Sequence, residues 1–198
     1  MLSYSVFFYS LIAGYLLGSI PSAVIVAKIF HLPDPRSQGS KNPGATNMLR
    51  LGGKKAGFIT FVLDFLKAFI PVLIAKHCLP LAACLCVMMG TFLGHIYSVF
   101  LKFKGGKGVA TGFGGWLGIS PPLGAATMLI WLVTAVIFRY SSLAALLSAL
   151  CAPFLAAYFL NVKAAVIIAG MSLMLILKHQ ENISRLASGT ESKIGKKR

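Results

Sequence analysis

Acidic residues are almost missing from this chain. Only Asp34, Asp64, Glu181 and Glu191 stand against 19 Lys and Arg in 198 residues, a formal net charge of +15. Charge of either sign is also scarce, at 12%, where soluble domains carry roughly 25%. Water is therefore not the main solvent, and an ordinary soluble enzyme is excluded. Cysteine is sparse as well. Cys78, Cys84, Cys86 and Cys151 lie in apolar stretches with no C-x-x-C pair, which points to packed thiols rather than a redox or metal centre. No cluster of metal-ligating residues is visible, and neither a metal nor a cofactor is expected. No basic segment precedes the first apolar run, which extends to Ile29, longer than the core of a cleaved signal; a retained first helix is expected.

What is abundant is apolar. Hydrophobic residues reach 57% without counting glycine, against about 45–50% with glycine in soluble domains. A bilayer core about 30 Å thick needs roughly 20 apolar residues in helical form, because the backbone must satisfy its own polar groups. Runs of that kind predict helices near 5–29, 55–75, 79–100, 122–138, 142–160 and 164–178, with a short seventh between Gly108 and Ile119. The expected fold is an all-α integral membrane protein of about seven transmembrane helices, one of them short, forming a single polytopic domain over residues 1–198. Small residues four apart, at Gly14 and Gly18, Gly90 and Gly94, and Gly114 and Gly118, allow close helix packing.

Positive charge sets the orientation. With seven crossings, sixteen Lys and Arg fall on one side, in loops near 30–54 and 101–108, at Arg139 and in a basic tail at 179–198 with Lys178 before it; only Lys76 and Lys163 fall opposite. Basic residues stay cytoplasmic, so the N-terminus is expected outside and the C-terminus inside. The partners of so basic a surface are anions: lipid headgroups, phosphorylated metabolites or nucleic acid. Nucleic acid is disfavoured, since the basic loops hold mostly Gly, Ser, Thr and Asn rather than stacking aromatics.

Three polar stretches interrupt the apolar background. The first runs from Asp34 to Lys55. Gly39 and Gly44 permit close backbone approach, Ser40, Asn42, Thr46 and Asn47 supply short hydrogen-bonding side chains, and Arg50 offers a bidentate fork for phosphate. Arg36 and Lys41 fit an ordinary positive turn, whereas Ser40 and Arg50 fit a site. The second, Phe103-Lys104-Gly105-Gly106-Lys107-Gly108-Val109-Ala110-Thr111, opens the short helix. Gly105, Gly106, Lys107 and Gly108 could turn successive amides and a helix N-terminus toward one anion; a flexible basic loop is the plainer alternative. It is not a nucleotide P-loop, because Leu101 stands at the first glycine position and Gly108 where Ser or Thr should hold magnesium. The third, His179 to Glu191, sets His179 and Asn182 on one helical face. His179 could be an interfacial anchor or part of a site, and His95 is expected to play a supporting part.

Together these stretches resemble the bacterial membrane acyl-phosphate:glycerol-3-phosphate acyltransferases. The resemblance rests on Gly18-Ser19-Ile20-Pro21-Ser22, on G-S-x-N-x-G-A-T-N-x-x-R from Gly39 to Arg50, on Gly94-His95 with the glycine stretch from Phe103, and on H-x-x-N-I-x-R-L-x-x-G-x-E from His179 to Glu191. Lys41 departs from it, standing where many members have glycine. The resemblance implies transfer of a fatty acyl group from acyl phosphate to the 1-hydroxyl of glycerol 3-phosphate, giving lysophosphatidic acid and phosphate at the cytoplasmic face of a bacterial inner membrane, with membrane lipids as surroundings. It implies catalytic roles for Ser40 and Arg50. It implies substrate binding by Gly105, Gly106, Lys107, Gly108, His179 and Asn182, to which Asn42, Gly44, Thr46 and Asn47 are added, with Glu191 as a structural brace.

No H-x-x-x-x-D pair occurs, since Arg36, Ala82, Phe100 and Ser184 stand five residues after the four histidines. The His–Asp chemistry of thioester-using acyltransferases is therefore unsupported. An alternative of another class is a small transporter of an organic phosphate. Transporters place polar residues at mid-membrane; here Asp64 and Lys67 are the charges inside helices, and the polar density lies in loops.

Overall fold

A computed structural model describes residues 4–195 of the chain, which divides into two compact units, Met1–Ile119 and Ser120–Arg198. The described residues are helical and contain no strand. Lys196, Lys197 and Arg198, counted in the basic tail, lie outside them.

The first unit begins with α1 (Tyr4–Gly18) and α2 (Ser22–Ile29). The sequence predicted one continuous helix over this stretch. Pro21 interrupts it, because proline lacks an amide hydrogen and pushes the preceding residue out of helical geometry. The break frees the Ser19 and Ile20 carbonyls, which are recaptured by Ser98 Oγ at 2.6 Å and Lys67 Nζ at 3.0 Å. α1 packs on α4 (Leu81–Ile96) along a glycine seam. A Cβ at Gly14 or Gly18 would collide with the backbone of Val87 or Thr91, and one at Gly90 or Gly94 with that of Leu11 or Tyr15. The four-residue glycine spacing is thus used for backbone contact.

α3 (Ala45–Cys78) is 34 residues long and breaks at Gly53, whose φ of 73° only glycine adopts readily. Its first turns occupy positions expected to be loop, since the helix starts at Ala45 rather than near residue 55. Met48 and Ala56 bury themselves against Ala23, Val26 and Ala27 of α2, and that apolar contact rewards helix formation ahead of the break. A short 3-10 turn, Val99–Leu101, precedes the glycine stretch, and α5 (Val109–Ile119) follows and packs on α3.

The second unit holds α6 (Pro121–Phe138), α7 (Ser141–Phe159), α8 (Val162–Lys178) and α9 (Gln180–Ala187). α7 packs against α6 and α8 through buried alanines, Ala144, Ala145, Ala149, Ala152 and Ala156. Asn161 caps α8 by accepting from the Ala164 amide at 2.9 Å. α9 lies within the stretch expected as tail.

Among the described residues, five segments are long and apolar enough to cross a membrane: Tyr4–Ile29, Ala45–Cys78, Leu81–Leu101, Pro121–Phe138 and Ser141–Phe159. A sixth is added if Val162–Lys178 and Gln180–Ala187, bent by 59°, count as one span. α5 has 11 residues and α8 has 17, both short of the roughly 20 that a full crossing needs. That shortfall separates five or six spans from the seven expected.

Candidate active site

The first polar stretch is organised from Asn47, in the first turn of α3. Asn47 is 1% exposed. Its Oδ1 accepts from the Ser40 amide at 3.0 Å, and its Nδ2 donates to the carbonyls of Pro35 at 2.9 Å and Gln38 at 3.0 Å. Buried and bonded at both ends of its amide, Asn47, expected from the sequence among the substrate contacts, fixes the loop that carries Ser40. Gly39 lies over it with φ of 62°, and a Cβ there would strike Asn47 Oδ1. Lys41 has φ of 56°, a left-handed conformation that glycine adopts without strain, so the glycine expected at this position from the resemblance would suit the backbone. Thr46 and Arg50 sit four residues apart on the α3 turn that follows Gly44, Arg50 exposed and Thr46 and Asn42 half-buried. At the loop's outer edge Arg36 Nη2 pairs with Asp34 Oδ2 at 2.6 Å. The Arg36 hydrogen bonds hold the Asp34 carboxyl below the usual aspartate range.

The second stretch folds back on the end of α4. The Gly105 amide donates to the Ile96 carbonyl at 3.1 Å and the Gly106 amide to the His95 carbonyl at 3.0 Å. These two donors, expected to face an anion, are thus directed to α4, whose last carbonyls have no helical partner. A Cβ at Gly105 would meet those same carbonyls, one at Gly106 would meet the His95 ring, and one at Gly108 would meet Phe92. The glycines are required by close packing. The first helical bond of α5 runs from the Gly112 amide to the Gly108 carbonyl at 2.7 Å, and helix geometry leaves the amides ahead of it without helical acceptors. The donors suited to an anion therefore begin after Gly106. Thr111 Oγ1, on that same first turn, is buried without a hydrogen-bond partner among the described residues, a polar group the sequence did not single out. Pro43 of the first stretch and Gly106 of the second line one small cleft, together with Ser19, Lys67 and His95.

The third stretch lies in the second unit. His179 sits at the bend between α8 and α9, 4% exposed, with Nδ1 2.8 Å from the Leu175 carbonyl. A carbonyl only accepts, so Nδ1 carries the hydrogen. The bend falls at His179, yet the Ile183 amide still bonds the His179 carbonyl at 2.9 Å, which keeps His179 and Asn182 one helical turn apart. Glu191 gathers this region. Its Oε1 accepts from Asn182 Nδ2 at 2.7 Å and Ser142 Oγ at 2.8 Å, and its Oε2 accepts from Arg185 Nε at 2.6 Å. Burial alone would raise the Glu191 carboxyl; the hydrogen bonds from Arg185, Asn182 and Ser142 outweigh it and bring the pKa below the ordinary glutamate value. Ser142 carried no sequence signal, being one hydroxyl at the start of an apolar helix. Beyond Glu191, the Ile194 amide donates to the Arg139 carbonyl at 2.7 Å and Lys193 Nζ lies 5.7 Å from the Tyr140 ring centroid.

With this geometry in hand, comparison with known proteins is specific. A family model described as glycerol-3-phosphate acyltransferase matches residues 8–189. A glycerol-3-phosphate acyltransferase of Burkholderia ambifaria is 48% identical over 191 residues, covering 94% of this chain and 90% of the relative. One of Methylococcus capsulatus is 49% identical over 190 residues, covering 93% and 94%. The crystal structure of PlsY (YgiH), an integral membrane glycerol 3-phosphate acyltransferase, matches in its glycerol 3-phosphate form with a TM-score of 0.85 and 40% identity, covering 96% of each chain. Its lysophosphatidic acid form matches with a TM-score of 0.82 and 38% identity, covering 96% of this chain and 95% of that one.

Proposed function

The chain belongs to the glycerol-3-phosphate acyltransferase family, and from that premise we propose that it moves a fatty acyl group from acyl phosphate to the 1-hydroxyl of glycerol 3-phosphate, releasing lysophosphatidic acid and phosphate. The observation that carries this reading within the first unit is the cleft bordered by both Pro43 and Gly106. It sets the Ser40 loop beside the glycine turn, as a reaction between two phosphate-bearing substrates requires.

The chain is a single membrane domain with seven crossings, in which α5 and α8 also traverse the bilayer. Its N-terminus is outside, and the loops near 30–54 and 101–108 and the tail face the cytoplasm at the bacterial inner membrane. The one-sided distribution of Lys and Arg supports this.

In the reaction the glycerol 3-phosphate hydroxyl oxygen attacks the acyl carbonyl carbon, the bond from that carbon to the bridging phosphate oxygen breaks, and phosphate leaves with the electron pair. Phosphate is a good leaving group once its charge is stabilised, so alignment and electrostatics supply most of the catalysis. Ser40 hydrogen-bonds the reacting groups and Arg50 stabilises the phosphate charge. Lys107, Gly108 and the first turn of α5 hold the phosphate of glycerol 3-phosphate, while Gly105 and Gly106 shape the turn; Asn42, Gly44 and Thr46 complete the first loop's contacts. His179 and Asn182 bind glycerol 3-phosphate, with Glu191 bracing Asn182. The hydroxyl proton passes to a substrate phosphate oxygen, so no acyl-enzyme forms.

The test is to incubate purified protein in detergent with acyl phosphate or acyl-CoA and labelled glycerol 3-phosphate. Lysophosphatidic acid and free phosphate are expected from acyl phosphate alone; equal turnover with acyl-CoA refutes the donor assignment. Ser40→Ala is expected to lose most activity. Rapid quenching with mass spectrometry of wild-type protein given acyl phosphate should find no adduct on Ser40, and a kinetically competent adduct would establish a double displacement instead.

A further inference from the structure

Asp64, Lys67 and His95 lie largely buried in the first unit, on the inner wall of the cleft that Pro43 and Gly106 border, and no step of the reaction above uses them. Asp64 and Lys67, three residues apart on α3, form an ion pair with Nζ 2.8 Å from Oδ1, their side chains 3% and 7% exposed. His95 of α4 brings Nδ1 to 3.4 Å from the same Asp64 oxygen. Charges at such depth are costly unless paired, and they persist where they have work to do. The connections run outward from both ends of the group. On one side Lys67 Nζ donates to the Ile20 carbonyl at 3.0 Å, at the break between α1 and α2. On the other, the His95 ring abuts Gly106, where a Cβ would meet Nε2, Cε1 and Cδ2, and the His95 carbonyl accepts the Gly106 amide at 3.0 Å.

We propose that Lys67, Asp64 and His95 form a buried strut that fixes the Gly105–Gly106 turn, making all three positioning residues for the phosphate held immediately after it. The Asp64 carboxylate sets the tilt of the imidazole, and Lys67 anchors the carboxylate to the α1–α2 break. The ring then sets how closely Gly106 approaches the end of α4. Because Gly106 is held by ring and carbonyl of one residue, a rotated ring moves the turn and the amides that follow it. The inference rests on the reading that Lys107 and the start of α5 hold the glycerol 3-phosphate phosphate.

The experiment measures KM for glycerol 3-phosphate, kcat and melting temperature of purified full-length protein, at saturating acyl phosphate, for Lys107→Ala, Asp64→Asn, His95→Ala, Gly106→Ala and the His95→Ala/Gly106→Ala double. His95→Ala, Asp64→Asn and Gly106→Ala are each expected to raise KM by about tenfold with a smaller change in kcat. The double is expected to bind no worse than His95→Ala alone, because the added methyl fits where the ring was. Multiplicative KM effects in the double overturn the strut, as does a KM left unchanged by His95→Ala. An unchanged KM in Lys107→Ala instead sinks the phosphate assignment and the strut with it. If Asp64→Asn does not fold, the His95 and Gly106 pair decides alone, since a His95 that serves stability only lowers the melting temperature of His95→Ala without raising KM.

Discussion

Two of the three polar stretches are each gathered by one side chain, and the two side chains differ in kind. Asn47 in the first unit is a neutral amide that bonds backbone: the Ser40 amide and the Pro35 and Gln38 carbonyls. Glu191 in the second is a carboxylate that bonds side chains: Asn182, Ser142 and Arg185. An amide bonding to main chain fixes a loop's path whatever the pH. A carboxylate collecting side-chain donors orients functional groups, but only while ionised. The Ser40 loop is thus built as rigid backbone and the Asn182 region as a charge-dependent cluster.

The largest expected effect comes from removing the neutral brace. Asn47→Ala leaves the buried Pro35 carbonyl and the half-buried Ser40 amide without their partner, while the Gln38 carbonyl keeps the Lys41 amide; the loss is ~2 kcal/mol, and activity should fall at least a hundredfold as Ser40 loses its place. Thermal unfolding and initial rates check this together. Asn47→Asp sharpens it, because a carboxylate still accepts from Ser40 but turns an acceptor toward the Pro35 and Gln38 carbonyls; it should be nearly as damaging, and near-normal activity would contradict the backbone-brace account.

A smaller effect is expected on the charged side. Glu191→Gln keeps one oxygen for Asn182 and Ser142 but faces Arg185 with a donor, a cost of about 2 kcal/mol. KM for glycerol 3-phosphate should rise more than kcat falls, since Asn182 is what moves. A pH series separates the two braces. Glu191 is held below its ordinary value, so its stabilisation is fully present above about pH 4.3, the unfolded value, and is lost as pH falls through the lower folded value. Melting temperature of the wild type should fall over that acid window relative to Glu191→Gln, whose brace has no carboxylate to protonate. Parallel curves for the two proteins would remove the charge dependence from the comparison.

The smallest effect belongs to the exposed ion pair at the edge of the first loop. Asp34 is also depressed by its partner, but with side chains 46% and 39% exposed for Arg36 and Asp34 solvent screens the pair, and Arg36→Ala should cost under about 1 kcal/mol. An activity loss comparable to that of Asn47→Ala would mean that the loop is held from its surface as well as from below.

Much of the candidate site was legible in residue types. A stretch dense in Gly, Ser, Thr and Asn between apolar runs announces tight turns and short donors, and Gly39, Ser40 and the glycines around Lys107 stand out from any membrane background. Asn47 was visible as part of that density, but its direction was not, because one amide can face a ligand or the chain with equal chemistry. Gly105 and Gly106 present the same ambiguity: a glycine pair suits an anion cradle and suits close packing on a helix end, and their amides turn to Ile96 and His95. The strut left a faint signal in Asp64 and Lys67, an i, i+3 pair of opposite charge inside an apolar helix. His95 lies 28 positions beyond Lys67, and local spacing has no bearing on a contact between two helices.

By itself the sequence determined that the chain is helical and apolar and where most of its helices lie, although α3 starts about ten residues ahead of the expected position and α9 falls in the expected tail. Those properties follow from local composition, since a run of apolar residues in lipid must satisfy its own backbone and has only the helix with which to do so. The tertiary structure decided where each polar group points: Asn47 inward to its own loop, the glycine amides back to α4, Glu191 onto Ser142 at the start of α7, Asp64 toward both Lys67 and His95. Direction is set by which distant segment fills the space on the other side of a side chain, a relation between residues far apart in the chain that no local pattern encodes.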